Sequence, residues 1–328
     1  MASESLAATP TTRRRRVWLW PLIGLGLVIL VPALWLGVQM LYGPDDLLRS
    51  PLPDITREII EPYAGEGCRP ENTCADVTLA ARRAPPIRFA TALPAVSSDE
   101  RLPTVILFGG FRTGRESLKH LPELGRNAVV TYEYPVDRQD WKKASTIGRL
   151  ALGYDAAYRV PRQLAALLRW VRAQPWADPN RVSLVGVSLG AMVLPAAHRI
   201  AQAHDVPPAT SILAYGGADQ ATVVEANLRK ILPAQLRRPA AWLVARVFGA
   251  MEPAAHLPHL HGEFLLINGD RDKRMPMAAI ERLHSVTPDP KRVVVLPSGH
   301  IDPKDRALLD RILGIMRDWL VERAAINP

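Results

Sequence analysis

The chain has 328 residues, 48% of them hydrophobic and 22% charged, with a formal net charge of +9. That balance excludes a disordered chain, and the length leaves room for one large domain or two ordinary ones. Part of the positive charge is the run Arg13, Arg14, Arg15 and Arg16, and no basic run after residue 42 is interleaved with aromatics, which argues against nucleic acid as a partner.

The basic N-terminus, 1–16, leads into 26 uncharged positions at 17–42, VWLWPLIGLGLVILVPALWLGVQMLY. About 20 helical residues cross ~30 Å of hydrocarbon, so this stretch is predicted to be a transmembrane helix. Arginines ahead of it favour a cytoplasmic N-terminus, with everything after residue 42 outside the cytoplasm, periplasmic or extracellular. Trp18, Trp20, Trp35 and Tyr42 stand near its ends, where amphipathic rings prefer the membrane interface. The competing reading is a cleaved signal peptide, whose apolar core is only about 7–15 residues long and whose cleavage site needs small residues. The following GPDDLL lacks that small-x-small step. Residues 43–75 read as a linker, rich in turn residues, with a short helix near 54–61. Within it Cys68 and Cys74 are expected to form a disulfide-closed loop, as an oxidising compartment allows.

From 76 to 328, strand and helix patterns alternate. Strands are predicted at 76–81, 87–91, 104–108, 128–134, 181–187, 210–215, 263–268 and 292–296. Their continuous apolar runs suit strands buried on both faces. Helices are predicted at 162–173, 189–203, 276–285 and 304–324, the first with Leu164, Leu167, Leu168 and Val171 on one face. The expected class is α/β, a mostly parallel central sheet with helices on both faces. Residues 216–262 separate two strands by a span too long for a structureless loop. They read as an inserted helical lid, with pieces near 220–231 and 239–250 parted by Pro233.

The chemistry centres on Gly186-Val187-Ser188-Leu189-Gly190. The apolar strand RVSLVGV runs into this pentapeptide and the helix LGAMVLPAAHRI leaves it, the setting that a strained nucleophile turn requires. A serine hydroxyl is a weak nucleophile and needs a neighbouring base. His300 in LPSGHID directly follows the last apolar strand. The acid that would orient it lies in Asn268-Gly269-Asp270-Arg271-Asp272, after the preceding strand; Asp219, after the strand before that, is a further candidate. The order serine, aspartate, histidine is one of three known on unrelated folds. The oxyanion of an attacked carbonyl needs preorganised N–H donors. Leu189 would supply one; Gly110 or Phe111, in the glycine turn Phe108–Gly114, would supply the other.

With those residues in view the chain resembles the α/β-hydrolases over roughly 76–325. RWVRAQPWADPNRVSLVGVSLGAM, 169–192, is similar to the helix–loop–strand–turn of the dienelactone-hydrolase-like and prolyl-oligopeptidase-like branches. GDRDKRMP resembles the family's acid loop, in which an aspartate precedes a proline by four positions, and this selects Asp272. The chain departs from many members at FGGF, which lacks their histidine. The resemblance implies a serine hydrolase without a cofactor, acting through an acyl-enzyme on Ser188 with Asp272 and His300. A carboxylic ester is the expected substrate, with a thioester or a peptide bond as alternatives. A non-catalytic membrane-anchored binding module is the rival from another class. His256, His259 and His261 do not read as a metal site, because Pro258 breaks any helix and no acid or thiol stands at ligand spacing. Trp242, Leu243, Val247 and Phe248 form an apolar stripe expected to pack onto the sheet domain, the alternative being a greasy lid that admits acyl chains or touches the membrane.

Overall fold

The computed structural model describes residues 30, 34–65, 67–95, 100–109, 114–121, 123, 125–136 and 138–328. It divides into two compact units, Met1–Tyr42 and Gly43–Pro328. In the first, residues 34–40 are helical. Residues 17–29 and 31–33 of the expected anchor lie outside the described residues, and no helix among the described residues is long and apolar enough to cross a membrane.

The second unit is built on one sheet. Its strands are β1 (Ile55–Tyr63), β2 (Asn72–Ala81), β3 (Ala84–Pro94), β4 (Leu102–Phe108), β5 (Ala128–Glu133), β6 (Ala177–Val187), β7 (Thr210–Ala214), β8 (Glu263–Gly269) and β9 (Lys291–Leu296). Their spatial order is β1-β2-β3-β5-β4-β6-β7-β8-β9. β1, β2, β3 and β5 pair antiparallel in succession, and every pair from β5 through β4 to β9 is parallel. Register holds Val105 opposite both Val129 and Ser183. β1 corrects the expectation of a helix near 54–61 and brings residues read as linker into the sheet. The segment ITREIIEPY is an edge strand whose outer positions are exposed, so its charges face water, where they also discourage pairing with another chain.

Six longer helices matter for the site: α1 (Thr146–Arg172), α2 (Leu189–Ala203), α3 (Gln220–Asn227), α4 (Ala234–Val247), α5 (Met277–Val286) and α6 (Arg306–Glu322). α1 starts earlier than its apolar face suggested, because Ser145 caps it by accepting from the Gly148 N–H, and Pro161 lies inside the helix. Its Leu164, Leu167, Leu168 and Val171 are fully buried. They pack with residues of α2, Leu283 of α5 and the strand residues Ile106, Phe108, Leu184 and Leu213. On the opposite face α6, capped by Asp305 through the Leu308 N–H, sets Ile312, Met316, Trp319 and Leu320 over Val185, Ile212, Leu265 and Ile267. Leu118, on the short 3-10 helix Gly114–His120, covers Ala90, Ala92 and Val129 beside the disulfide Cys68–Cys74.

Residues 216–262 form α3, α4 and short helical turns. Pro233 is the N-cap of α4, and Pro239 lies inside it. The insertion packs on α1 and α2. The Tyr158 hydroxyl donates to the Val247 carbonyl at 3.1 Å, Phe248 meets the Tyr154 ring, and Arg199 donates to the Ala255 carbonyl. Only half of the apolar stripe is used this way. Val247 is buried, whereas Trp242 is 56% exposed and Leu243 also faces outward.

Candidate active site

β4 is the switch point of the parallel sheet, since the chain leaves it for β5 on one side and resumes with β6 on the other. In such sheets the crevice beyond the carboxyl ends of the diverging strands is where ligands bind. Ser188 stands there, between β6 and α2, at φ 56° and ψ −114°. A non-glycine residue with positive φ is strained and is retained where its surroundings over-determine it. Here the Ser188 N–H donates to Ala214 at 2.8 Å, and the flanking glycines remove the steric obstacles. A Cβ on Gly186 would stand 2.6 Å from the Gly190 carbonyl oxygen, and one on Gly190 only 2.2 Å from that of Phe108. The turn therefore needs glycine at both places for close approach.

The Ser188 Oγ lies 2.8 Å from His300 Nε2. On the other side of that ring, His300 Nδ1 is 2.7 Å from Asp272 Oδ2. The Asp272 side chain is fully buried, and its second oxygen accepts from the Arg274 and Met275 N–H groups at 2.8 and 3.0 Å. Three residues from three strand-end loops are thus joined in one hydrogen-bonded chain. The other two candidate acids are engaged elsewhere. Asp270 pairs with Arg271 at the surface. Asp219 caps α3, accepting from the Thr222 N–H and hydroxyl.

Leu189 opens α2, so its N–H belongs to the first turn, where no intrahelical acceptor is available. Gly110 and Phe111 lie outside the described residues. Just before them, the buried Tyr134 hydroxyl donates to the Gly109 carbonyl at 2.9 Å and pins the start of that loop. Burial pushes the Tyr134 phenol well up from its ordinary value, so it remains a neutral donor.

Two further groups hold the loops together and were missed from the sequence. Tyr215, at the end of β7, sets its ring edge-on to His300 with centroids 5.8 Å apart, and its hydroxyl is 2.7 Å from Ser298 Oγ. Asn268, fully buried at the end of β8, donates to the Gly216 carbonyl and lies 2.9 Å from His284 Nε2. Both sit at carboxyl ends of apolar strands, where an out-of-place polar residue was the available clue. Of the insertion's histidines, His256 is buried with Nε2 2.7 Å from the Ala250 carbonyl oxygen, and burial lowers its pKa to about 4. It acts as a neutral packing group.

A cavity of about 770 Å³ opens beside Ser188, with His300, Gly109, Leu189 and Arg274 on its wall. No residue of 216–262 lines it among the described residues. The insertion expected as a lid therefore packs over the α1 and α2 face and does not wall this cavity.

No protein-family model matches the chain. An uncharacterized protein of Mycobacterium tuberculosis, found in strains H37Rv and CDC 1551, is 33% identical over 166 residues, 49% of this chain and 52% of that protein. The chain spans about half the length of the curated relatives it matches. Among solved structures, acetyl xylan esterase from Paenibacillus sp. R4 superposes with a TM-score of 0.61 at 16% identity, covering 83% of this chain and 92% of that one. Acetyl xylan esterase 1 from Thermoanaerobacterium sp. JW/SL YS485 gives 0.59 at 16% identity, over 82% and 90%. The acylaminoacyl peptidase of Pyrococcus horikoshii gives 0.54 at 13% identity, over 80% of this chain and 42% of that one. At such identities the likeness is one of fold.

Proposed function

The chain has the α/β-hydrolase fold, and on that fold we propose that it is a serine hydrolase cleaving carboxylic esters through an acyl-enzyme on Ser188. The observation that carries this reading is the hydrogen-bonded chain Ser188–His300–Asp272 at a strained strand–helix turn. In the proposed reaction, Ser188 Oγ attacks the carbonyl carbon while His300 Nε2 takes its proton. Asp272 holds the imidazole in the tautomer that leaves Nε2 free to accept. The tetrahedral oxygen is held by the Leu189 N–H and by that of Gly110 or Phe111. The leaving alcohol carries the proton away from His300, and water, activated by the same base, releases the acid. No cofactor is required by this chemistry. An ester is preferred to a thioester or a peptide bond because the solved structures of greatest likeness quoted above are named esterases.

Fluorophosphonate labelling followed by peptide mapping tests the reading. Label is expected on Ser188 and absent from Ser188→Ala, which also loses ester hydrolysis. Asp272→Asn, which favours the wrong tautomer, is expected to lower kcat by roughly 10⁴-fold, with Asp270→Asn and Asp219→Asn far less affected. An unlabelled but folded protein would point to the binding-module alternative.

The same proposal includes a membrane anchor at 17–42, cytoplasmic at its N-terminus, with the hydrolase unit in an oxidising space. It is supported by the arginine run, the length of the apolar stretch and the Cys68–Cys74 disulfide. Retention in membranes after a carbonate wash is the expected result; a C-terminal reporter active only in the cytoplasm would reverse the topology.

A further inference from the structure

β4 and β6 lie at the centre of the sheet, yet on the α6 face their apolar side chains are incompletely covered. Val105, Leu107 and Val187 are all partly exposed, whereas Ile106 and Phe108, on the other face of β4, are fully buried. The uncovered residues line a trough. The cavity beside Ser188 runs past Leu107 and Val187 to Leu309, Leu313 and Met316 of α6. A second cavity of about 120 Å³ shares Leu107, Leu313 and Met316 with it and continues to Val105, Val185 and Leu320. Along the strands, Val105 and Val185 lie one side-chain repeat deeper than Leu107 and Val187, away from the carboxyl ends where Ser188 stands. On α6, Leu309, Leu313, Met316 and Leu320 follow helical spacing, and those 11 steps span roughly 16 Å at ~1.5 Å per residue.

Unfilled apolar surface at the middle of a sheet is unfavourable in water and becomes favourable when hydrocarbon covers it. The other side of the site differs in chemistry. Beyond His300, a cleft is lined by Arg271, Ser298, Asp305 and Arg311. In ester cleavage the Oγ–carbon bond forms and the carbon–alcohol bond breaks. The leaving oxygen takes its proton from His300 Nε2, so the alcohol part belongs on the His300 side, and the acyl part stays on Ser188 at the head of the trough.

We propose that this trough receives the acyl chain of the substrate, making the natural substrate an ester of a medium to long fatty acyl group with a polar alcohol. The proposal rests on the serine-hydrolase reading and deepens it. A zigzag chain of ~1.5 Å bonds advances about 1.25 Å per carbon, so a trough of this length takes an acyl group of roughly 12–13 carbons.

The test uses the full-length chain with p-nitrophenyl esters from acetate to palmitate. The quantity kcat/KM is expected to rise by up to about fourfold per added methylene and to level off near dodecanoate. Leu313→Trp, which narrows the trough where the two cavities meet, should lower the decanoate-to-acetate ratio at least tenfold. Leu313→Phe, a milder change, should lower it in the same direction if the Trp variant fails to fold. Ser188→Ala should bind a fluorescent fatty acid that free laurate displaces, and the Leu313 variants built on it should bind more weakly. Flat chain-length dependence from acetate to dodecanoate overturns the trough while leaving the hydrolase intact. So does a gain that appears only when the alcohol of an alkyl acetate is lengthened. Inert esters together with absent fluorophosphonate labelling at Ser188 overturn the hydrolase reading itself.

Discussion

The two faces of the sheet are made of the same strands but are packed differently. Along β4 and β6, alternate residues point to opposite sides. On one side, Ile106, Phe108 and Leu184 meet α1 and α2 and exclude water. On the other, Val105, Leu107 and Val187 face α6 and remain partly open, and the cavity at Ser188 occupies the gap. The closed face gives the strained turn at Ser188 a rigid support, which positive φ at a serine requires. The open face leaves room for a ligand. Rigid support and open space thus fall on opposite sides of one sheet, with Ser188 at the edge shared by both.

The strongest break in that division is expected at Gly190, where α2 touches the end of β4. An added Cβ would collide with the Phe108 carbonyl oxygen, and neither backbone can yield, so Gly190→Ala should cost more than about 4 kcal/mol or abolish folding. Urea unfolding, or loss of folded protein on expression, reads this. Leu184→Ala and Leu107→Ala compare the faces directly. A fully buried leucine costs about 2–5 kcal/mol on truncation, so Leu184→Ala should fall in that range and the partly exposed Leu107→Ala should cost less, about 1–2 kcal/mol. Equal losses would mean that the trough is filled in solution.

A pH effect should arise on the closed face. His198 of α2 is buried with Nδ1 3.0 Å from Ser211 Oγ and stacks on Phe264. Burial lowers its pKa to about 3. Below about 6.5 the unfolded chain takes up a proton that the folded chain refuses, so stability is complete above that pH and declines on acidification towards pH 3. The slope from this one residue approaches roughly 1.4 kcal/mol per pH unit. His198→Gln should therefore flatten the fall in Tm between pH 6.5 and 4. The smallest effect is expected on the open face. A Cβ at Gly314 of α6 meets nothing within 4 Å, so Gly314→Ala should stabilise by about 0.5–1 kcal/mol, seen as a rise in Tm.

Eight of the nine strands among the described residues were legible as apolar runs between turn residues. β1 was not, because charged residues break up its apolar positions, whereas the equally exposed edge strand β9 keeps the run VVVL. ITREIIEPY alternates too weakly to distinguish it from a loop or a short helix. At the site, Ser188, His300 and the acid loop could each be read because each follows its own strand, in an order that few folds use. Tyr215 and Asn268 could not be read, since their partners, Ser298 and Gly216, are distant in sequence or contribute only a backbone carbonyl. The stripe at Trp242 and Leu243 illustrates the same limit. Helical spacing marks an apolar face but not whether anything covers it.

By itself the sequence determined the alternation of strands and helices, the tight glycine turn around Ser188 and the identity of the groups able to do acid–base chemistry. Those are local properties, set by side-chain periodicity and by the conformations glycine permits. Only the tertiary structure decided that Asp272 reaches His300 while Asp219 caps a helix, that residues 216–262 lie over α1 and α2, and that one face of the central strands stays open beside Ser188. An apolar strand reads the same whether one of its faces is covered or both are. The difference is made by where distant helices come to rest.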